Sequence, residues 1–202
     1  MKKTILLSSM MALFSLGAHA ENLDNYDFFE NKPNYQIDVD GAHAFINFQI
    51  NHMGFSWLKG RFDDFDGKFY YDSENPENSQ IFVHINTESV NSNHTNRDEH
   101  LRNEDFLFTS EYPDATYMGT RYEPLTETTG IMHGDLTLRG VTNHVMIDVE
   151  KIGQGTDPWG GERVGFTGTT EFKMSDFGID YDLGEQSQTV YLTLDIEGIK
   201  IQ

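Results

Sequence analysis

Apolar residues recur at every second position through most of this chain, and that period limits the fold more than any other feature. Ala44, Ile46, Phe48 and Ile50 share one side of an extended segment, with Asn47 and Gln49 on the other. Phe69 and Tyr71 share a side after Gly67, and Ile81, Val83 and Ile85 repeat the pattern. So do Leu136 and Leu138, then Val145, Ile147 and Val149. Phe166, Phe172 and Met174 fall at even positions of one long strand, and Val190, Leu192, Leu194 and Ile196 close the series. A period of two places alternate side chains on opposite faces of a sheet, so these segments read as half-buried strands. Glycine, asparagine and aspartate mark the breaks: Asp66-Gly67, Arg139-Gly140, Gly153 to Gly155 and Gly160-Gly161 are read as turns. About eight or nine strands result, with no strand–helix alternation. The expected fold is all-β, an antiparallel barrel or sandwich, in a single domain.

The first twenty residues do not belong to that domain. Lys2 and Lys3 precede an apolar run from Ile5 to Leu16, and Ala18-His19-Ala20 has the small-x-small form of a cleavage signal. Residues 1–20 are therefore read as a secretory signal peptide cleaved after Ala20, and the periplasm of a bacterium is the expected compartment. No later segment is apolar enough to span a bilayer, so no integral membrane segment is expected after cleavage. Residues 21–34 are read as a loose acidic arm, and residues 35–202 as the folded domain. The chain has no cysteine, which excludes disulfides, a thiol nucleophile and a cysteine-anchored lipoprotein. Its net charge of −19 becomes more negative once Lys2 and Lys3 leave, so nucleic acid and bare anionic membrane surfaces are not expected partners. The oligomeric state is open, and a homodimer is compatible with the sequence.

One stretch breaks the alternation. "NHTNRDEHLRNEDFL", Asn93 to Leu107, holds two histidines, two arginines and four carboxylates. Asn93, Thr95 or Asn96 can cap a short helix whose first turn contains Asp98 and Glu99. Tyr112-Pro113 ends it. His94 and His100 are six residues apart and fall on different faces of such a helix, so the zinc motif of two histidines four apart is absent. No metal site is expected, and Arg97 and Asp98 are read as hydrogen-bonding anchors. "DDFDGKFYYDSE" fails as a calcium loop, because Phe62 and Ser73 would stand where its end ligands belong, and it is read as a hairpin turn. "GQGTDPWGGERVGF" lacks phosphate-loop spacing and is read as a long hairpin loop. "HMGFSWLKGRF" clusters Met53, Phe55, Trp57 and Leu58, either as core or as the rim of a cavity.

These segments together resemble the YceI-like family of bacterial periplasmic proteins. The resemblance runs from Tyr35 to about Ile199, through "YQIDVDGAHAFINFQI", "HMGFSWLKGRFDDFDG", "NHTNRDEHLRNEDFL", "YPDATY", "GDLTLRGVT", "GQGTDPWGG" and "VYLTLDIEG". Its most specific part is the NHxxRDxHLRxxDFL pattern. It implies an extended eight-stranded antiparallel lipocalin-like barrel with a short helical connector around residues 93–107. It also implies a binding protein for a long isoprenoid lipid, polyprenyl or ubiquinone-like, rather than an enzyme. The isoprenoid or quinone would be a ligand and not a catalytic cofactor.

The alternation then nominates the channel lining: Ile46, Phe48, Phe69, Val83 and Ile85 on the earlier strands, and Leu136, Leu138, Phe166, Phe172 and Met174 on the later ones. Phe55, Trp57 and Leu107 are candidates for its mouth or end. Leu101, Phe106 and Leu107 are expected to face inward. His94, Arg97 and His100 are candidates for a cap or head-group contact. The chain's 15 Phe, 9 Tyr and 2 Trp can line an apolar channel. Burying one isoprene unit removes roughly 100 Å² from water, worth about 2–2.5 kcal/mol before binding costs. The alternative is a metal- or quinone-dependent enzyme using His94, Asp98 and His100. A third reading, a scaffold without ligand, requires a barrel packed solid by its own side chains.

Overall fold

The structure, a computed structural model, describes residues 29–201. Residues 1–20, expected to be a signal peptide, and residues 21–28 of the expected acidic arm lie outside the described residues. In chain order the strands are β1 (Tyr35–Ile37), β2 (Phe45–His52), β3 (Ser56–Phe62), β4 (Phe65–Tyr70), β5 (Gln80–Asn86) and β6 (Val90–Asn91). One α-helix follows, α1 (Thr95–Arg102), and then β7 (Asp114–Pro124), β8 (Thr129–Leu138), β9 (Val141–Thr156), β10 (Glu162–Lys173) and β11 (Thr189–Lys200).

The ring closes because β1 pairs on one side with β4 and on the other with β11, so β1-β4-β5-β7-β8-β9-β10-β11 is an eight-stranded antiparallel barrel. The remaining strands extend three of these eight. β2 pairs with the first half of β11 while β1 pairs with its end, so β1 and β2 are two lengths of one wall strand. β4 and β3 form the next, and β5 and β6 the third, since β3 pairs with both β2 and β6. All three breaks, at residues 38–44, 63–64 and 87–89, fall on neighbouring strands and form a seam across part of the wall. Side chains stitch it: Asn86 Nδ2 donates to Asp64 Oδ2 at 2.9 Å and Asn91 Nδ2 to Asp63 Oδ2 at 2.7 Å.

The periodicity named strand faces well and turns less well. Arg139-Gly140 is a two-residue hairpin turn, with both residues at positive φ (51° and 71°), as such a turn requires. Asp66-Gly67, expected in a turn, lies inside β4. Gly67 is needed there for close approach, since a Cβ would fall 2.4 Å from the Phe82 carbonyl oxygen and 2.7 Å from Ile37 Cδ1. Gly153 to Gly155 likewise lie within β9, so the expected long loop shrinks to residues 157–161. The helical connector is also shorter than expected: α1 ends at Arg102, and residues 103–113 continue as turns.

The described part of the acidic arm is fastened rather than loose. The Glu30 N–H donates to Gln80 Oε1 at 2.7 Å. Asn34 Nδ2 donates to the Tyr71 carbonyl at 2.8 Å, and the Tyr71 N–H returns a bond to Asn34 Oδ1 at 2.9 Å.

Candidate ligand-binding site

Inward-facing residues of the strands enclose two apolar chambers on the barrel axis, of about 160 and 120 Å³. They share Ile46, Ile85, Leu136 and Leu192 as a common waist. Apolar cavities of this size, on the order of 150 Å³, stay dry and take up small hydrocarbons. The interior is therefore not packed solid, as a scaffold without ligand would require.

All ten residues nominated from the alternation stand on these walls. Phe69, Val83 and Phe166 line the larger chamber, and Phe48, Leu138, Phe172 and Met174 the smaller, with Ile46, Ile85 and Leu136 at the waist. Leu107 also lines the smaller chamber, beside Leu101 and Phe106. Phe55 and Trp57 do not reach the cavity. Phe55 sits in the β2–β3 turn and is 83% exposed, after Met53 and Gly54 at positive φ. Trp57 pairs with Asn51, which belongs to the outward set of β2, and its ring packs edge-on against Tyr191 at 5.6 Å. The residue of that strand that reaches the smaller chamber is Phe62, opposite Ile46, and Leu58 shares its parity opposite Ile50. Several wall residues escaped nomination, among them Ile81, Met132, Ile147 and Leu194. Ile81, Ile147 and Leu194 carried the signal, sharing parity with Val83, Val145 and Leu192.

At the α1 end, Leu101, Phe106 and Leu107 line the smaller chamber, and the polar groups of the helix are tied to the neighbouring backbone and side chains. His94 is the N-cap of α1, its Nδ1 accepting from the Arg97 N–H at 3.3 Å. Asp98 is buried and accepts from the N–H of Ser92 at 2.8 Å and from the Ser92 hydroxyl. Burial pushes the Asp98 carboxyl up, but those hydrogen bonds and the Arg102 and Arg97 charges outweigh it and hold it below the usual carboxylate range. Arg97 donates to the Ser92 carbonyl at 2.6 Å, and Arg102 to the carbonyls of Glu88 and Val90 at 2.7 and 2.9 Å. These bonds tie α1 to β6. His100 pairs with Asp105 at 3.0 Å and packs edge-on against Phe106 and Tyr181. His94, Asp98 and His100 thus each have a different partner and do not converge. Arg97 serves as an anchor, as the sequence suggested, and none of His94, Arg97 and His100 lines either chamber.

The larger chamber ends differently. Its rim holds Tyr70, Tyr71, Ser79, Gln80 and Tyr122, where β4, β5 and β7 meet the N-terminal segment. Tyr71 crosses toward β10, its ring edge-on to Phe166 at 5.2 Å, and its hydroxyl accepts from Lys151 Nζ at 3.3 Å. Among the described residues, Ser79 Oγ is the only buried side-chain nitrogen or oxygen without a hydrogen-bond partner. Burial, with Tyr71 nearby, pushes the Tyr122 hydroxyl up, and burial with Asp135 does the same to Tyr117, in keeping with an apolar interior.

Among the described residues, one cluster has metal-like spacing, Asp38, His43 and Glu197. A protein cation already serves it. Arg163 donates from one nitrogen to Asp38 Oδ2 and Glu197 Oε1, both at 2.6 Å, and from Nε to Asp157 at 2.6 Å. Burial raises the Asp38 carboxyl, but bonds from His43, Arg163 and the Gly41 N–H leave it below the usual range. The cluster fastens the β1–β2 break to β10 and β11.

The YceI-like domain model matches residues 35–198, the whole barrel with its waist, both chambers and α1. The chain belongs to the YceI-like family. A UPF0312 protein of Ectopseudomonas mendocina is 53% identical over 166 residues, covering 82% of this YceI-like chain and 87% of the relative. The crystal structure of the Campylobacter jejuni YCEI protein is similar at a TM-score of 0.69 and 30% identity, covering 76% of this chain and 91% of that one. A domain from Saccharophagus degradans, described as polyisoprenoid binding and implicated in plant cell wall breakdown, shares the fold at a TM-score of 0.61 and 18% identity, covering 84% and 100% of the two chains.

Proposed function

We propose that this YceI-like protein binds a long isoprenoid lipid, polyprenyl or ubiquinone-like, in its barrel, and carries or stores it in the periplasm. One observation carries the reading: two apolar chambers, adjacent across four shared wall residues, inside the barrel of a strongly acidic protein. Such a molecule keeps an oily tail from water while remaining dissolved itself. The description of the Saccharophagus degradans domain as polyisoprenoid binding agrees with it. The resting chambers are short, so a long tail enters by parting flexible wall side chains such as Met132 and Met174. A binding protein needs no converging catalytic groups.

The test is mass spectrometry of organic extracts from protein purified out of its producing cells without detergent. An isoprenoid at reproducible stoichiometry is expected, and its loss is expected in Leu192→Trp, which fills the waist. A water-soluble ligand alone, or none, would sink the reading. N-terminal sequencing of the exported protein is expected to begin at Glu21.

A further inference from the structure

The unpaired hydroxyl of Ser79 lies at one end of an otherwise apolar cavity. Ser79 continues the inward parity of Ile81, Val83 and Ile85 and lines the larger chamber. It is 7% exposed, and its Oγ meets no donor or acceptor of the protein. A buried hydroxyl left unpaired is costly, and natural interiors rarely keep one without a use. It stands one step beyond Tyr70 and Gln80, the last paired residues of β4 and β5, so Tyr71 is its cross-strand neighbour. The Tyr71 hydroxyl accepts from Lys151 and keeps its own proton to donate. Two hydroxyl donors therefore line the same chamber, Ser79 on the β5 side and Tyr71 reaching across to Lys151 on β9.

We propose that this rim is a head-group subsite for an uncharged head bearing carbonyl or ether oxygens, with Ser79 and Tyr71 donating to those oxygens. The proposal rests on the lipid-binding reading above and adds an orientation. The head lies at the Tyr71–Ser79 end and the tail runs through the waist toward α1. The opposite end offers no rival place for a head, because only apolar side chains line the smaller chamber. An anionic head such as a diphosphate fits poorly. No charged residue lines the larger chamber, and Lys151 reaches it only through Tyr71. A diphosphate would lie there without the paired cations that charge-assisted recognition uses.

The experiment uses the full mature chain stripped of lipid and three probes: a ubiquinone with a short isoprenoid tail, squalene as a headless isoprenoid, and farnesyl diphosphate. Dissociation constants are measured for the wild type, Ser79→Ala and Tyr71→Phe, with thermal unfolding to check that each variant is folded. Ser79→Ala is expected to weaken quinone binding by about 3- to 10-fold, the worth of one hydrogen bond, and to leave squalene within about twofold. Tyr71→Phe should act in the same direction. If Ser79→Ala shifts both probes equally or shifts neither, the subsite is wrong while the lipid-binding reading stands. Tighter binding of the diphosphate than of the quinone would also overturn it. If the wild type takes up none of the three, both this proposal and the lipid-binding reading fall.

Discussion

The two ends of the barrel are built from the same wall strands yet treat polar groups in opposite ways. At the α1 end every anchoring group has a partner: Asp98 with Ser92, Arg97 with Ser92, Arg102 with two carbonyls. At the Tyr71 end a buried hydroxyl is left over. Exposed apolar residues also stand on the hairpins at that end, Leu125 between β7 and β8 and Trp159 between β9 and β10, with Ile152 nearby on β9. A closure that serves only stability has no reason to leave a donor unmet. An end that receives something does. The difference teaches that the charge-rich motif, the most conspicuous in the sequence, marks the end whose anchoring groups are paired, and that the proposed head-group end is written in residues of little individual distinction.

That contrast can be broken by substitution. The largest effect is expected at Phe106, buried on the floor of the α1 end: Phe106→Ala should cost about 3–5 kcal/mol in denaturant unfolding, whereas Trp159→Ala, 87% exposed at the other end, should cost under about 0.5 kcal/mol. Equal losses would erase the distinction. Asp98→Ala comes next, at about 2–3 kcal/mol, because it strands the Ser92 donors and leaves Arg97 and Arg102 without a nearby counter-charge. A loss within error would mean that the cap contributes nothing.

Acid should then sharpen the same contrast. Asp98 and Asp38 both titrate below their ordinary value in the folded protein, so each binds its proton less readily folded than unfolded. Their contribution is complete above the ordinary carboxylate range and is lost as the pH falls through it toward the lowered folded values. The wild type should lose stability over that window, and Asp98→Ala should lose less of it, as read from unfolding midpoints across an acid series. The smallest effect is at the Tyr71–Ser79 end. In the lipid-free protein, Ser79→Ala should be neutral or stabilising by up to about 1 kcal/mol, since it removes a hydroxyl that has no partner. Destabilisation of more than that would show that Ser79 has a structural duty.

Much of this was legible in the residues. Strand faces are encoded by a period that survives without any tertiary knowledge, and all ten residues nominated by parity reached the cavity wall. Phe55 and Trp57 failed because apolar character was weighed without register. The β2–β3 turn sets Trp57 opposite Asn51, and register decides which face a side chain takes. Gly67 failed for a related reason, since a glycine demanded by close approach within a strand looks, in sequence, like a glycine demanded by a turn. Ser79 could have been found by extending the parity of β5 by one step. Nothing in the sequence shows that its hydroxyl lacks a partner, because that depends on which neighbours the closed ring brings near.

The seam across β1/β2, β3/β4 and β5/β6 gives the wall a grain. A cylinder whose staves run unbroken resists opening equally all round. Here three adjacent staves are jointed at one level, where isolated backbone bonds such as Asn86 N–H to the Asp64 carbonyl and Asp63 N–H to the Ser89 carbonyl stand beside side-chain ties from Asn86, Asn91 and Arg163. If the barrel must dilate to admit a cargo bulkier than its resting bore, it will yield along those joints, and the long uninterrupted strands opposite will act as the rigid back.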